Sequence, residues 1–146
     1  MKILNKKASH NYEVIESMEA GVVLTGAEVK SIKSGRANMT DSFAKIINGE
    51  LYLVNVEIPK YKYDGSSFYD PRRSRKLLVN KKQLVTLASK MKAKNLVMFP
   101  LSIYDTHGKI KVEIALGRGM KRHEKKDKEK ERTLDRELLR ESREVL

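Results

Sequence analysis

The chain has 146 residues, a formal net charge of +12 and no cysteine. Without cysteine it can form neither disulfides nor thiolate metal sites, which fits a reducing cytoplasm. No apolar run approaches the length of a membrane-spanning helix, and the start of the chain lacks the apolar stretch of a signal peptide. The charge favours a polyanionic partner, and the alternative is a basic surface with no nucleic-acid role.

The first predicted elements are two strands and a short helix. Tyr12–Met18 and Val22–Leu24 are rich in apolar and β-branched residues, and Ala20–Gly21 between them predicts a break. The capping-box spacing that starts at Thr25 then predicts a helix over Gly26–Ser34. These elements place β structure before the first helix.

The strongest local pattern is a β-hairpin. Phe43–Ile47 and Leu51–Ile58 flank Asn48–Gly49, a pair that favours a tight turn because both turn positions need positive φ. Pro59 cannot donate a ladder hydrogen bond, so it is expected to end the second strand.

A second helix is expected to start after Asn80, which can act as its N-cap. Leu84, Leu87, Ala88 and Met91 recur at helical spacing and predict a fully buried stripe. The pattern therefore places one side of this helix against the core.

Two further strands are expected over Leu96–Tyr104 and Lys109–Leu116, with His107 in the turn between them. Pro100 inside the first of these predicts an edge strand or a bulge. Six or so short strands with an interposed helix favour a mainly β fold with added helices, a closed β-barrel of the oligonucleotide-binding type.

The last thirty residues, 117–146, differ from the rest because 19 of them are charged. They contain too few apolar residues to offset the ordering of the backbone, so this segment is expected to be disordered when free. After Gly119 it has neither Gly nor Pro and is rich in helix formers, so it is competent to become helical on a partner. We therefore divide the chain into a body, 1–119, and a basic tail, 120–146.

The segment Lys60–Lys76 combines four aromatic residues with a cluster of cations. Stacked bases need rings and phosphates need cations, so this pattern is typical of contacts with irregular or single-stranded RNA. The alternative is a surface loop whose tyrosines pack on the barrel. The cationic candidates for RNA contact are Arg72, Arg73, Arg75 and Lys76.

Motifs for catalysis are missing from the sequence, which has no phosphate-binding glycine loop and no nucleophile elbow. Glu28 is interpreted as part of the helix cap. The histidines do not have the spacing of a metal site, and His123 in the basic start of the tail is better suited to stack on a base. We therefore expect a binding protein, not an enzyme, with no metal and no cofactor.

Three segments, in order, resemble the SsrA-binding protein family, also called small protein B: Met18–Ala44, Asp70–Asn80 and Gly117–Glu137. The resemblance implies a bacterial cytoplasmic protein that binds transfer-messenger RNA at its transfer-RNA-like domain and brings it to stalled ribosomes in trans-translation. It implies an oligonucleotide-binding-type barrel whose tail acts in the decoding centre and the empty messenger channel. It implies no membrane, and we expect a monomer.

The resemblance also assigns residues. Glu19, Leu78 and Asn80 match the family's contacts to transfer-messenger RNA. The tail residues that match those at the decoding centre, with an apolar pair further on, are Gly119, Lys121, Arg122, His123, Lys125, Lys126, Leu138 and Leu139. Met120 departs from the family, where a second Lys is common. Two other functions stay open, a permanently resident ribosomal protein and a hydrolase that acts on RNA.

Overall fold

The computed structural model describes residues 1–65 and 68–120. No helix in these ranges is long and apolar enough to cross a membrane. The elements within them, in chain order, are β1 (Lys2–Leu4), α1 (Lys6–Asn11), β2 (Tyr12–Val22), α2 (Gly26–Lys33), β3 (Phe43–Ile47), β4 (Glu50–Val54), β5 (Arg75–Leu78), α3 (Lys81–Lys94), β6 (Val97–Thr106) and β7 (Lys109–Gly119).

Six of the strands close a ring. Neighbouring strands pair in the order β6-β3-β4-β5-β2-β7, and β7 returns to β6. Every pair is antiparallel, and the link between β3 and β6 is a single pairing of Ala44 with Met98. β1 adds to β6 beyond that point. The mainly β fold of the oligonucleotide-binding type that the sequence predicts is confirmed.

The interior of the ring is filled by alternate residues of its strands. In β7, Ile110, Val112, Ile114 and Leu116 are all buried, as the alternation predicts. Ala115 points the other way and is also buried, because α1 covers the outside of the ring there. β7 is therefore covered on both faces over this stretch.

Several local predictions are confirmed. Asn48 and Gly49 form the hairpin turn with φ of 51° and 74°. The capping boxes that start at Thr25 and Asn80 are both formed. The register of β6 shifts between Pro100 and Ser102, which is the bulge expected at that proline.

The predicted break at Ala20–Gly21 is wrong, because β2 runs without interruption from Tyr12 to Val22. Gly21 serves instead to let the neighbouring strand approach. A Cβ on Gly21 would lie 3.3 Å from the Cβ of Leu78, its partner in β5. The glycine therefore allows β2 and β5 to pair with a leucine lying over it.

The other differences concern polar segments and helix packing. None of α1, β1 and β5 is predicted from the sequence. β4 ends at Val54 because Asn55 has a φ of 66°, outside the range of a strand. In α3 only Leu87 is fully buried and Ala88 is exposed, so the predicted four-residue buried stripe is narrower than expected.

Candidate nucleic-acid interface

Glu19 and Leu78 lie on one outward face of the ring, although some sixty residues separate them in sequence, and Asn80 follows two residues after Leu78. Gly21 of β2 pairs with Leu78 of β5. β5 ends at Leu78, and Asn80 follows as the N-cap of α3, beside Glu16 and Met18 of β2. All three side chains are exposed, with Leu78 at 54%. We call these three residues the β2–β5 patch.

The carboxylate of Glu19 is held in place by Tyr104 of β6, whose hydroxyl donates a hydrogen bond to Oε2. Burial, together with that bond and the Glu19 charge, raises the pKa of Tyr104 to about 12. Tyr104 is therefore a protonated donor at neutral pH. One carboxylate oxygen of Glu19 is fixed by this contact, and the other is left to accept hydrogen bonds from amino groups such as those on base edges.

The side-chain oxygen and nitrogen of Asn80 have different roles. Its Oδ1 accepts a hydrogen bond of 2.8 Å from the backbone N–H of Gln83, which caps α3. Its side-chain nitrogen has no acceptor among the described residues, so it can donate to a ligand. A shallow groove of about 330 Å³ lies beside Asn80, between β2 and the first two turns of α3.

Arg75 is predicted from the sequence to contact RNA, but its side chain is wholly buried, with 0% exposure. Its Nε donates to Oε2 of Glu28 at 2.7 Å, and Nη1 donates to the carbonyl oxygen of Val56 at 2.7 Å. Its Nη2 donates to the carbonyl oxygen of Pro71 at 3.0 Å. With every guanidinium nitrogen bonded inside the protein, Arg75 is not available to a phosphate.

Glu28 is the centre of this buried cluster as well as the predicted cap. It accepts hydrogen bonds from the Thr25 backbone at 2.9 Å and from the side chains of Arg73 and Arg75. Burial alone would raise the pKa of Glu28, but the bonds from Arg73, Thr25 and Arg75 outweigh it and lower the pKa to about 2. The carboxylate is therefore charged across the physiological range and ties the segment before β5 to α2.

The other three cations of the predicted cluster reach the surface but are already paired. Arg72 contacts Glu57 at 2.9 Å, and Lys76 contacts Glu50 at 3.0 Å. Arg73 pairs with the buried Glu28 described above. Each of these cations would have to exchange or share a carboxylate in order to bind a phosphate. Their attraction for RNA is therefore weaker than the sequence predicts.

The aromatic side chains of the loop before β5 are of two kinds: one packs on the protein, and others are exposed and available for stacking. Tyr69 packs inward and donates a hydrogen bond of 2.7 Å to the carbonyl oxygen of Ile58. Tyr63 and Phe68 are 75% and 86% exposed. Tyr61 forms an edge contact with Tyr63, and the Lys30 ammonium lies 5.5 Å from the Tyr61 ring centre. The exposed rings can stack on bases, whereas Tyr69 is structural.

The tail leaves the ring beside α1. Gly119 pairs with Tyr12 at the end of β7, and the Met120 N–H donates a 3.0 Å hydrogen bond to the carbonyl oxygen of Asn11. Arg118, just before, contacts Glu13 at 2.6 Å. The remaining predicted tail residues lie outside the described residues: Lys121, Arg122, His123, Lys125, Lys126, Leu138 and Leu139.

Sequence reasoning missed Tyr104, which orients Glu19 across 85 residues of sequence. No local pattern indicates it, because the contact depends on β7 separating β2 from β6 in the ring. Sequence reasoning also missed the five lysines of α3, although they are evident from the composition of that helix.

The chain matches known proteins along nearly its whole length. The family model described as SmpB protein matches residues 2–144. SsrA-binding proteins from Mycobacterium leprae (strain TN) and Mycobacterium tuberculosis (strain H37Rv) are each 47% identical over 137 residues, 94% of this chain and 86% of the relative. A chain in a solved structure described as "tmRNA-SmpB: a journey to the center of the bacterial ribosome" is 43% identical with a TM-score of 0.69, covering 83% of this chain and 85% of that one. The protein whose patch and tail exit are described above belongs to the SmpB protein family.

Proposed function

We propose that this protein binds transfer-messenger RNA at its transfer-RNA-like domain and delivers it to stalled ribosomes for trans-translation in the bacterial cytoplasm. The observation that carries the proposal is that Glu19 and Leu78 share one exposed face of the ring, with the exposed Asn80 two residues after Leu78. Membership of the SmpB family and the SsrA-binding relatives support it. The proposed role is recognition of an RNA, without a catalytic step.

The β2–β5 patch offers three kinds of contact to irregular RNA. The second oxygen of Glu19 accepts hydrogen bonds from base amino groups, and the Asn80 side-chain nitrogen donates to base or backbone oxygens. Leu78 supplies an exposed apolar surface for the face of an unstacked base or a sugar. Lys76 lies two residues before Leu78 on β5, and Arg72 and Arg73 precede that strand; these cations are proposed to take phosphates by exchanging their carboxylate partners. Residues 1–119 form the proposed RNA-binding body.

The tail, 120–146, is proposed to act on the ribosome, in the decoding centre and the empty messenger channel. The segment 117–126 holds five basic residues and one acidic residue, a charge that suits ribosomal phosphates. His123 is placed in that segment to stack on an exposed base. Its proposed neighbours in the decoding centre are Gly119, Lys121, Arg122, Lys125 and Lys126, with Leu138 and Leu139 further along the channel.

Binding to the transfer-RNA-like domain is expected to depend strongly on salt. With on the order of 4–8 phosphate contacts, the logarithm of affinity falls against the logarithm of salt concentration with a slope of about −3 to −6. Filter binding from about 50 to 200 mM salt measures the slope, with an unrelated RNA of similar length as control. Equal affinity for the two RNAs would rule out the proposed function. Sequencing of the RNA that co-purifies with the protein from its host is the independent check.

The β2–β5 patch can be separated from the helix cap by two substitutions at Asn80. Asn80→Ala is expected to weaken RNA binding and to destabilise the fold by about 0.5–2 kcal/mol, because it removes the cap. Asn80→Ser keeps a capping oxygen but removes the amide donor, so it is expected to weaken RNA binding with little loss of stability. Thermal unfolding and RNA binding are measured on both, with Glu19→Ala beside them.

The patch would be disproved by two results together. One is that Asn80→Ser binds the RNA as the unsubstituted protein does, and the other is that Glu19→Ala changes nothing. Asn80 would then be structural alone.

A further inference from the structure

Helix α3 carries five lysines and no acidic residue in its fourteen positions. Lys90 contacts Glu16 at 2.8 Å. Within 1–65 and 68–120, the other four have no acidic partner within ion-pair distance: Lys81, Lys82, Lys92 and Lys94.

This helix contrasts with the arginine-rich segment that the sequence singled out. Arg72, Arg73, Arg75 and Lys76 each contact a carboxylate, so that segment has little uncompensated charge. Residues 1–116 hold twenty basic and eleven acidic residues, a net charge of +9. Five of the twenty lie on α3, which makes it a concentrated positive surface of the body.

The four lysines without an acidic partner are all exposed to solvent. Leu87 is buried, and Leu84 and Met91 pack against the core. At 100° per residue, Lys81 and Lys92 lie within about 20° of each other and between about 60° and 140° from those three residues. The two are about 16 Å apart along the axis. The exposed face of α3 can therefore follow a nucleic-acid backbone.

The N-terminal end of α3 adjoins the β2–β5 patch. Asn80 is the N-cap of α3, so the first lysine follows directly from a patch residue. The groove beside Asn80 is lined on the helix side by Lys82, Gln83 and Thr86. An RNA whose bases contact the patch would bring its adjoining backbone onto α3.

The first two lysines oppose the stability of the helix. Lys81 and Lys82 lie in its first turn, which has no acidic residue. The helix dipole places partial positive charge there, so cations at these positions are unfavourable in the unbound protein. A phosphate bound beside them would reverse the sign of that interaction. Residues that oppose folding locally are expected at functional surfaces.

We propose that the exposed face of α3 is a phosphate-binding surface that holds the RNA backbone next to the β2–β5 patch. This inference rests on the proposed function, and it identifies the surface that provides the electrostatic contribution to RNA binding. Recognition of bases and attraction of phosphates are thereby divided between the patch and the helix.

The test uses full-length protein and the transcribed transfer-RNA-like domain. Lys81→Gln/Lys82→Gln is expected to make the slope of log affinity against log salt less negative by about 1.4–1.8, the contribution of two phosphates. Its melting temperature is expected to stay unchanged or to rise, because two cations leave the helix N-terminus. Lys92→Gln is expected to flatten the slope as well, by about half as much.

The matched control is Lys33→Gln/Arg36→Gln, which removes the same charge at the end of α2. It is expected to leave the slope unchanged. The proposal is overturned if the Lys81/Lys82 variant keeps the original slope, or if the control flattens it equally, since net charge alone would then explain binding. Failure of the unsubstituted protein to prefer this RNA would instead reject the proposed function.

Discussion

Replacing Arg75 by Met is expected to destabilise the folded protein by about 3–5 kcal/mol, a large part of the usual 5–15 kcal/mol of a folded domain. Met fills much of the volume of the arginine stem but has no charge and no donors. The substitution leaves the Glu28 carboxylate, which is 1% exposed, without its fully buried partner. It also removes the donor to the carbonyl oxygen of Val56. A buried charge that keeps only Arg73 as its cationic partner, together with unsatisfied acceptors, produces the loss.

Urea unfolding followed by circular dichroism measures this change. Arg72→Met is the matched control, because it breaks the exposed pair with Glu57 and should alter stability by at most about 1 kcal/mol. Glu28→Gln combined with Arg75→Met is expected to be more stable than Arg75→Met alone, since no buried charge is left. Equal stability of the Arg75 and Arg72 variants would contradict this account of the cluster.

The same cluster makes stability depend on acid. The pKa of Glu28 is lowered from 4.5 to about 2 in the folded protein. The stabilisation that this shift provides is fully present above pH 4.5 and is lost as the pH falls from 4.5 towards 2. Glu28→Gln has no such group and should lose less stability over that window. Urea midpoints at several pH values compare the two proteins.

Removing 121–146 is expected to abolish tagging on stalled ribosomes while leaving the body intact. A chain that ends at Met120 keeps the hydrogen bond to Asn11 and every strand of the ring. The removed segment holds ten basic and eight acidic residues, a net charge of only +2 out of +12. Stability and RNA binding should therefore change little. Tagging should fall to background, because the proposed contacts in the decoding centre and messenger channel are lost.

A reconstituted tagging assay, run beside RNA binding and thermal unfolding, tests this separation. Full-length Glu19→Ala is the reciprocal control, since it should weaken RNA binding with the tail still present. Leu138→Asn/Leu139→Asn keeps the length and charge of the tail and tests the apolar pair alone. Full tagging by the protein that ends at Met120 would reject the proposed role of the tail.

The elements that local chemistry determines were predictable from the sequence. The capping boxes at Thr25 and Asn80 and the hairpin turn at Asn48–Gly49 depend on residues within four positions of one another. The strand over Ile110–Leu116 follows from alternation that the ring then buries. The composition of 117–146 and the ordered family blocks are likewise properties of the chain itself.

Tertiary structure determines which of the cationic side chains are buried and which are paired with carboxylates. In the sequence, Arg72, Arg73, Arg75 and Lys76 look alike. Pairing of β5 with β2 and β4 turns Arg75 inward and Lys76 outward, because successive residues of a strand face opposite sides. The sequence shows which residues carry a positive charge. It does not show which of those charges is paired with a carboxylate, because the partner, such as Glu28, is far away in sequence. For the same reason, only the folded ring brings Glu19 onto the same face as Leu78 and the Tyr104 hydroxyl to the Glu19 carboxylate.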